Sequence, residues 1–342
     1  MNPNELLEQL QEFVSQDTVH MYIIERKLKP GMKQKDSPSV RFEYIPLQVN
    51  LSEELVPVVM EMLENVIEKK FRGDIELSTY QVIDDDLERI YTYSDLDKIS
   101  GFKEFLDNKL GREIKPLKSL ADLTEIEKSW AVCYGFYNNT DKKWLYCIKK
   151  LGPSKMTVEL ETSSSVTEAI KHGFTSLFDT KTKTLKPFNG FSLNIEPSID
   201  MVYLDGQIYI FRKKAFEDIT SLTEEFDIVA KEIIEEVNEL KFIKGIEHMS
   251  DVIYKKPSFR NKLIKAKEIG NIDFLKTCKN VKKEFERTGE ILDMTFSFDK
   301  KGMITANSPE DAENIIQVLC EFYKEGIFGR RIFESPAGRI KK

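Results

Sequence analysis

The sequence has 342 residues, 41% of them hydrophobic and 32% charged, with a formal net charge of −7. That apolar content can bury a core, which excludes a wholly disordered or fibrous chain, and the length suits two domains. Apolar runs such as Trp130 to Tyr137 fall well short of the ~20 residues that span a bilayer, and the acidic start lacks a signal-peptide layout; a cytosolic protein is expected.

In chain order, an amphipathic helix is expected over 3–16, with Leu6, Leu7, Leu10, Phe13 and Val14 on one side. The β-rich runs 18–27 and 41–49, joined by a loop punctuated with Pro30, Gly31 and Pro38, read as a long hairpin with a basic tip (Lys27, Lys29, Lys33, Lys35). A helix to about Lys70 follows, with Pro57 in its first turn and Val58, Val59, Met62, Val66 and Ile67 as its buried stripe. Residues 80–93 read as strand, acidic turn and strand, and 101–110 as a helix. An aromatic hairpin pairs 129–137 with 142–150. The stretch 151–190, rich in Ser, Thr and Lys, has little pattern and suits a connecting region between domains at 1–150 and 191–342.

The strongest local signal is 199–211, where two alternating runs flank Asp205-Gly206, a dipeptide suited to a type I′ turn. Ser221 and Glu224 suggest a capping box for a helix to about Leu240, with Phe226, Ala230, Ile233, Val237 and Leu240 at helical spacing and a solvated acidic face. Helices at 258–269 and 271–286, strands near 293–298 and 302–305, and a helix at 308–323 complete the chain. The expected class is α+β, with a mixed or mainly antiparallel sheet in the N-terminal and central part and a largely helical C-terminal region.

Chemistry-bearing motifs are sparse. Nucleophile elbows, phosphate-binding glycine loops and dinucleotide fingerprints are absent, and histidines 20, 172 and 248 are isolated. The four cysteines form no C-x-x-C pair. Cys133 and Cys147 flank the hairpin turn symmetrically, within reach of a cross-strand bridge, although two free thiols are the favoured reading in a reducing cytosol. No cofactor is implied. Asp84, Asp85 and Asp86 with Glu88, or Glu113 with Lys115, offer a metal-dependent nuclease as the alternative reading, against ordinary turn chemistry.

Charge is distributed unevenly. Residues 1–100 carry 20 acidic and 11 basic residues, whereas 255–285 carry ten basic residues against Glu268, Asp273 and Glu284. On a helix from Asn271, Lys276, Lys279 and Lys283 step by three and four along one side, and Lys255, Lys256, Arg260 and Lys267 supplement them. Such a stripe can track phosphates; a merely solvated face is the alternative.

Three stretches, Val82 to Tyr93 with Phe102, Phe105, Leu106 and Leu110-Gly111, the Asp205-Gly206 hairpin running into Ala215-Phe216-Glu217, and Phe298 to Ile304 with the helix through Tyr323 and the pair Arg330-Arg331, together resemble the KwaB family, the soluble component of the Kiwa anti-phage defence system. The resemblance implies a dimeric effector that binds DNA without reading sequence and works beside a membrane-spanning partner. It carries no catalytic motif, so the expected function is non-enzymatic, with Arg330 and Arg331 joining the lysines as phosphate contacts. A protein-binding assembly subunit is the third reading.

Overall fold

The computed structural model describes residues 2–15, 18–33, 36–83, 88–110, 114, 116, 129–151, 156–157, 176–179, 184–187, 192–193, 196–321, 323–325 and 332–334. Two units emerge, Met1–Ser78 with Glu88–Thr220 and Thr79–Leu87 with Ser221–Lys342.

The first unit opens with α1 (Pro3–Val14), started by a reciprocal capping box in which the Asn2 side chain accepts from the Glu5 amide and the Asn2 amide donates to the Glu5 carboxylate. The long hairpin follows as β1 (His20–Leu28) and β2 (Phe42–Val49), paired from Met21–Val49 to Leu28–Phe42, with the single turn α2 (Pro38–Arg41) in its tip. Next come α3 (Leu55–Lys70), β3 (Glu76–Thr79) and β4 (Arg89–Tyr93). The helix expected at 101–110 divides into a 3-10 turn at Leu96–Ile99, α4 (Ser100–Glu104) and a π turn at Phe105–Lys109.

The aromatic hairpin is β5 (Ser129–Asn138) and β6 (Lys143–Lys150). Two small ladders lie in and just beyond the stretch of little pattern. β7 (Met156–Thr157) pairs with β10 (Ser192–Leu193), and β8 (Ser176–Asp179) pairs with β9 (Thr184–Pro187). The Asp205-Gly206 hairpin is β11 (Met201–Leu204) and β12 (Gln207–Ile210), with φ of 50° at Asp205 and 79° at Gly206 as the type I′ turn demands. These strands join one sheet in the order β2-β1-β5-β6-β11-β12-β4-β3. A last helix, α5 (Lys213–Ile219), contacts β6.

The period-two alternation of the strands sorts the core. Val132, Tyr134, Phe136, Leu145, Cys147, Val202 and Leu204 share one sheet face with Leu6, Leu10, Phe13 and Val14 of α1 and Val59, Leu63 and Ile67 of α3. Each such Leu or Ile taken from water contributes roughly 1.5–3 kcal/mol. The stripe of α3 is rotated from its expected position, because Val58 points outward at 57% exposure and Leu63 is fully buried. The aromatics Tyr134 and Phe136 are core residues.

The register also settles the cysteine pair. Cys133 faces Ile148 and Tyr134 faces Cys147, so the two thiols project from opposite sheet faces, and both are free and buried. A register offset of one residue reverses the face, which removes the bridge that turn symmetry alone suggested. Between β1 and β5 the pairing slips from Ile24–Ala131 to Glu25–Ser129, leaving Trp130 as a bulged residue. Its ring receives the Arg26 guanidinium at 3.4 Å and the Lys150 ammonium at 2.9 Å, and its indole N–H donates to the Ile219 carbonyl at 3.0 Å.

The second unit contains α6 (Leu222–Glu239), β13 (Ile243–Lys244), α7 (Ile246–Lys255), α8 (Pro257–Glu268), α9 (Asn271–Thr277), α10 (Val281–Leu292), β14 (Ile304–Thr305) and α11 (Pro309–Leu319), then a short pair β15 (Tyr323–Glu325) with β16 (Ile332–Glu334). Ser221 adopts a left-handed conformation (φ 65°) and its side chain caps nothing, so the expected capping box does not form. The expected helix 271–286 is two helices, because the chain leaves helical conformation at Cys278 and Asn280. The strands expected at 293–298 and 302–305 reduce to a Phe298–Ile304 bridge and the parallel pair of β13 with β14. Gly245, at φ +82°, enters α7 where an added Cβ would lie 2.1 Å from the Ala306 carbonyl oxygen. Only glycine fits that approach.

Candidate nucleic-acid interface

The basic segment begins at the end of α7. Lys255 is exposed and pairs with Asp251 at 3.3 Å, one helical turn back. Lys256 reaches Glu313 of α11 at 2.5 Å, and Lys265 pairs with Glu268 at 3.6 Å. Arg260 is a different kind of residue, with its side chain only 7% exposed. Its Nη1 donates to Asp227 Oδ1 at 2.8 Å and its Nε to Asn261 Oδ1 at 3.2 Å, and its guanidinium lies 5.8 Å from the Phe226 ring. A guanidinium fixed this way fastens α8 to α6 and is not available to a phosphate.

Lys267 and Lys276 form a square with two carboxylates. The Lys267 ammonium lies 2.9 Å from Glu236 and 2.8 Å from Asp273; that of Lys276 lies 2.5 Å and 2.8 Å from the same groups. Hydrogen bonds from Lys267 and then Lys276 hold the Asp273 carboxyl down to about 2, and the reciprocal bonds raise both lysines. Burial pushes the Glu236 carboxyl up, but the bonds from the two ammoniums outweigh it and the net displacement is downward. The acidic side of α6 is therefore not simply solvated: Asp227 and Glu236 take up three of the cations that the sequence presents as a patch.

What stays open is the start of α10. Lys279 and Lys283 are exposed and have no ion pair among the described residues. Lys282 between them makes one ion pair among the described residues, a 3.4 Å contact with Glu286, half-exposed on both sides. Exposed pairs of this kind contribute about 0–1 kcal/mol and yield readily to a competing anion. Because the helix breaks between Thr277 and Val281, Lys276 does not share a stripe with Lys283. Arg330 and Arg331 lie outside the described residues, as do Lys35, Asp84 to Asp86, Glu113, Lys115 and His172.

Among the described residues no three His, Cys, Asp or Glu side chains gather as metal ligands would, and no helix is long and apolar enough to cross a membrane. The second unit also holds two half-open grooves. One, of about 380 Å³, is lined by Phe274, Phe285, Leu292 and Leu319 with Glu284 and Glu321; the other, of about 440 Å³, runs beside Ile234, Ile253 and Tyr254 with Asp227 and Glu235.

A family described as Kiwa protein KwaB-like matches residues 126–325, more than half of the chain. No curated protein and no solved structure matches it.

Proposed function

The chain belongs to the KwaB-like family and is a component of the multi-protein Kiwa anti-phage defence system; on that premise we propose that it is a non-enzymatic effector that binds DNA without reading its sequence. The observation that carries this reading is the open start of α10, where Lys279, Lys282 and Lys283 stand exposed while the neighbouring basic residues are tied to carboxylates. Lysine ammoniums on flexible stems neutralise backbone phosphates and release condensed counterions, which gives affinity without base recognition. Bound along phage DNA, the protein would occlude the machinery that replicates or transcribes it.

The resemblance that points to DNA also points to a homodimer in the cytoplasm, recruited to the inner face of the membrane by a membrane-spanning partner. Light scattering giving one chain's mass across micromolar concentrations would dismiss the dimer.

A protein-binding role is the second reading, favoured by Tyr254 at 83% exposure and Phe274 at 52%, each beside an apolar groove. Exposed aromatics beside a groove are the usual anchors of protein interfaces. Gel shifts of linear duplex at low and physiological salt separate the two, since only DNA binding gives a salt-sensitive shift. Incubating supercoiled plasmid with the protein and Mg²⁺ or Mn²⁺ tests the non-enzymatic part. Intact plasmid is expected, and nicking abolished by Asp85→Ala would establish the nuclease instead.

A further inference from the structure

Next to the first turn of α10 lies a tight turn, Asp299-Lys300-Lys301-Gly302, closed by the Gly302 amide on the Asp299 carbonyl at 3.0 Å and by the Asp299 amide on the Met303 carbonyl at 2.9 Å. Gly302 takes the positive φ (81°) that the turn requires. The Asp299 carboxylate is engaged with backbone, accepting from the Lys301 amide at 2.8 Å and the Met303 amide at 3.0 Å. It therefore shapes the turn while the Lys300 and Lys301 side chains stand exposed without an ion pair among the described residues.

Lys282 joins this turn to α10. Its Cδ is 3.8 Å from where a Cβ on Gly302 would stand, and its ammonium is 5.4 Å from the Phe298 ring centroid. Lys244, exposed in β13, pairs in register with Thr305, two residues beyond Met303, and its charge together with that of Lys301 is felt by Asp299. Two carboxylates also stand on the first turns of α10: Glu284 lines the groove with Phe274 and Phe285, and Glu286 pairs with Lys282 at the surface.

We infer that the Asp299–Gly302 turn and the start of α10 form one phosphate-binding surface, in which Lys244, Lys279, Lys282, Lys283, Lys300 and Lys301 hold the backbone of a nucleic acid. This rests on the DNA-binding reading and gives that reading its place. The surface presents only point charges on flexible stems, and Lys282 lies against its nearest ring, so it can follow phosphates but offers no fork or stacking face for bases.

The test uses the full chain and fluorescence anisotropy with a labelled duplex of mixed sequence. Lys300→Glu with Lys301→Glu changes the turn, Lys279→Glu with Lys283→Glu changes the helix, and Lys69→Glu with Arg72→Glu makes the same charge change at the exposed end of α3. Circular dichroism and urea midpoints establish that each variant folds, and Lys→Gln versions of the turn variant remove charge without reversing it. Each of the two patch variants should weaken binding by about tenfold or more at low salt and flatten the salt slope by about 0.9 per lost contact, while the α3 control stays within about twofold. Wild-type protein that binds duplex equally well with the turn variant overturns the surface and leaves DNA binding standing. Wild-type protein that binds no duplex at low salt removes both. Vesicles of anionic phosphatidylglycerol form a parallel arm. Loss of vesicle binding with duplex binding intact would assign the lysines to a membrane and also overturn the inference.

Discussion

Asp273 shows how the local charges of the second unit can be read out. Its carboxyl is held down to about 2 by Lys267 and Lys276, below the ordinary 3.8. A depressed folded-state value means that its contribution is fully present above pH 3.8 and is lost as pH falls through about 2. A carboxyl-detected NMR titration should place its midpoint near 2, and Asp273→Asn should remove the stability slope in that window; a midpoint near 3.8 would show the square to be open in solution. Arg260 and Lys283 make a second contrast. Both look alike in the sequence, yet one is buried and hydrogen-bonded and the other exposed. Arg260→Ala should cost about 2 kcal/mol or more in urea unfolding, since it leaves charged and polar partners without their donor. Lys283→Ala should stay within about 0.5 kcal/mol. Equal effects would mean that Arg260 is not fixed as the structure has it. Nothing in the spacing of 255–285 distinguishes these two cations, because Asp227, the partner of Arg260, lies on a distant helix that only the fold brings near.

At the scale of elements, strands and turns with a strong local signal were legible in the sequence. Asp205-Gly206 dictates its own turn, and the aromatic runs 129–138 and 143–150 pair as alternation requires. Helix α7 has no such local signal, since Ile246–Lys255 begins at Gly245, whose left-handed backbone is imposed by the close approach of Ala306. The break after Thr277 has no proline to announce it, so a single lysine stripe seemed continuous. The lysines of the 299–302 turn carry no local sign of a site, since nothing in the sequence tells that Lys282 folds against Gly302. The rotation of α3 can be tested by mutation. Leu63→Ala should destabilise the protein by about 2–5 kcal/mol, as a fully buried leucine leaves a cavity against the sheet, whereas Val58→Ala should be close to neutral. The opposite order would restore the stripe expected from periodicity.

For the whole molecule, net charge is a poor guide to its partner. The chain is acidic overall, and much of the basic segment is consumed in holding α6, α8, α9 and α11 together. Among the described residues, Lys279, Lys283, Lys300 and Lys301 stand exposed without an ion pair at the start of α10 and in the 299–302 turn, and Lys244 is exposed in β13. Local concentration of charge is what steers and holds a polyanion, even on a molecule of the same overall sign. The most direct measurement is the anisotropy of two labelled duplexes of unrelated sequence titrated with the wild-type protein over a series of salt concentrations. Equal affinities for the two, falling on a line with a log–log slope of about −3.5 to −5.5, are expected if four to six lysines each neutralise one phosphate. A slope near zero, or a preference of more than about tenfold for one sequence at every salt concentration, would contradict binding through the phosphate backbone.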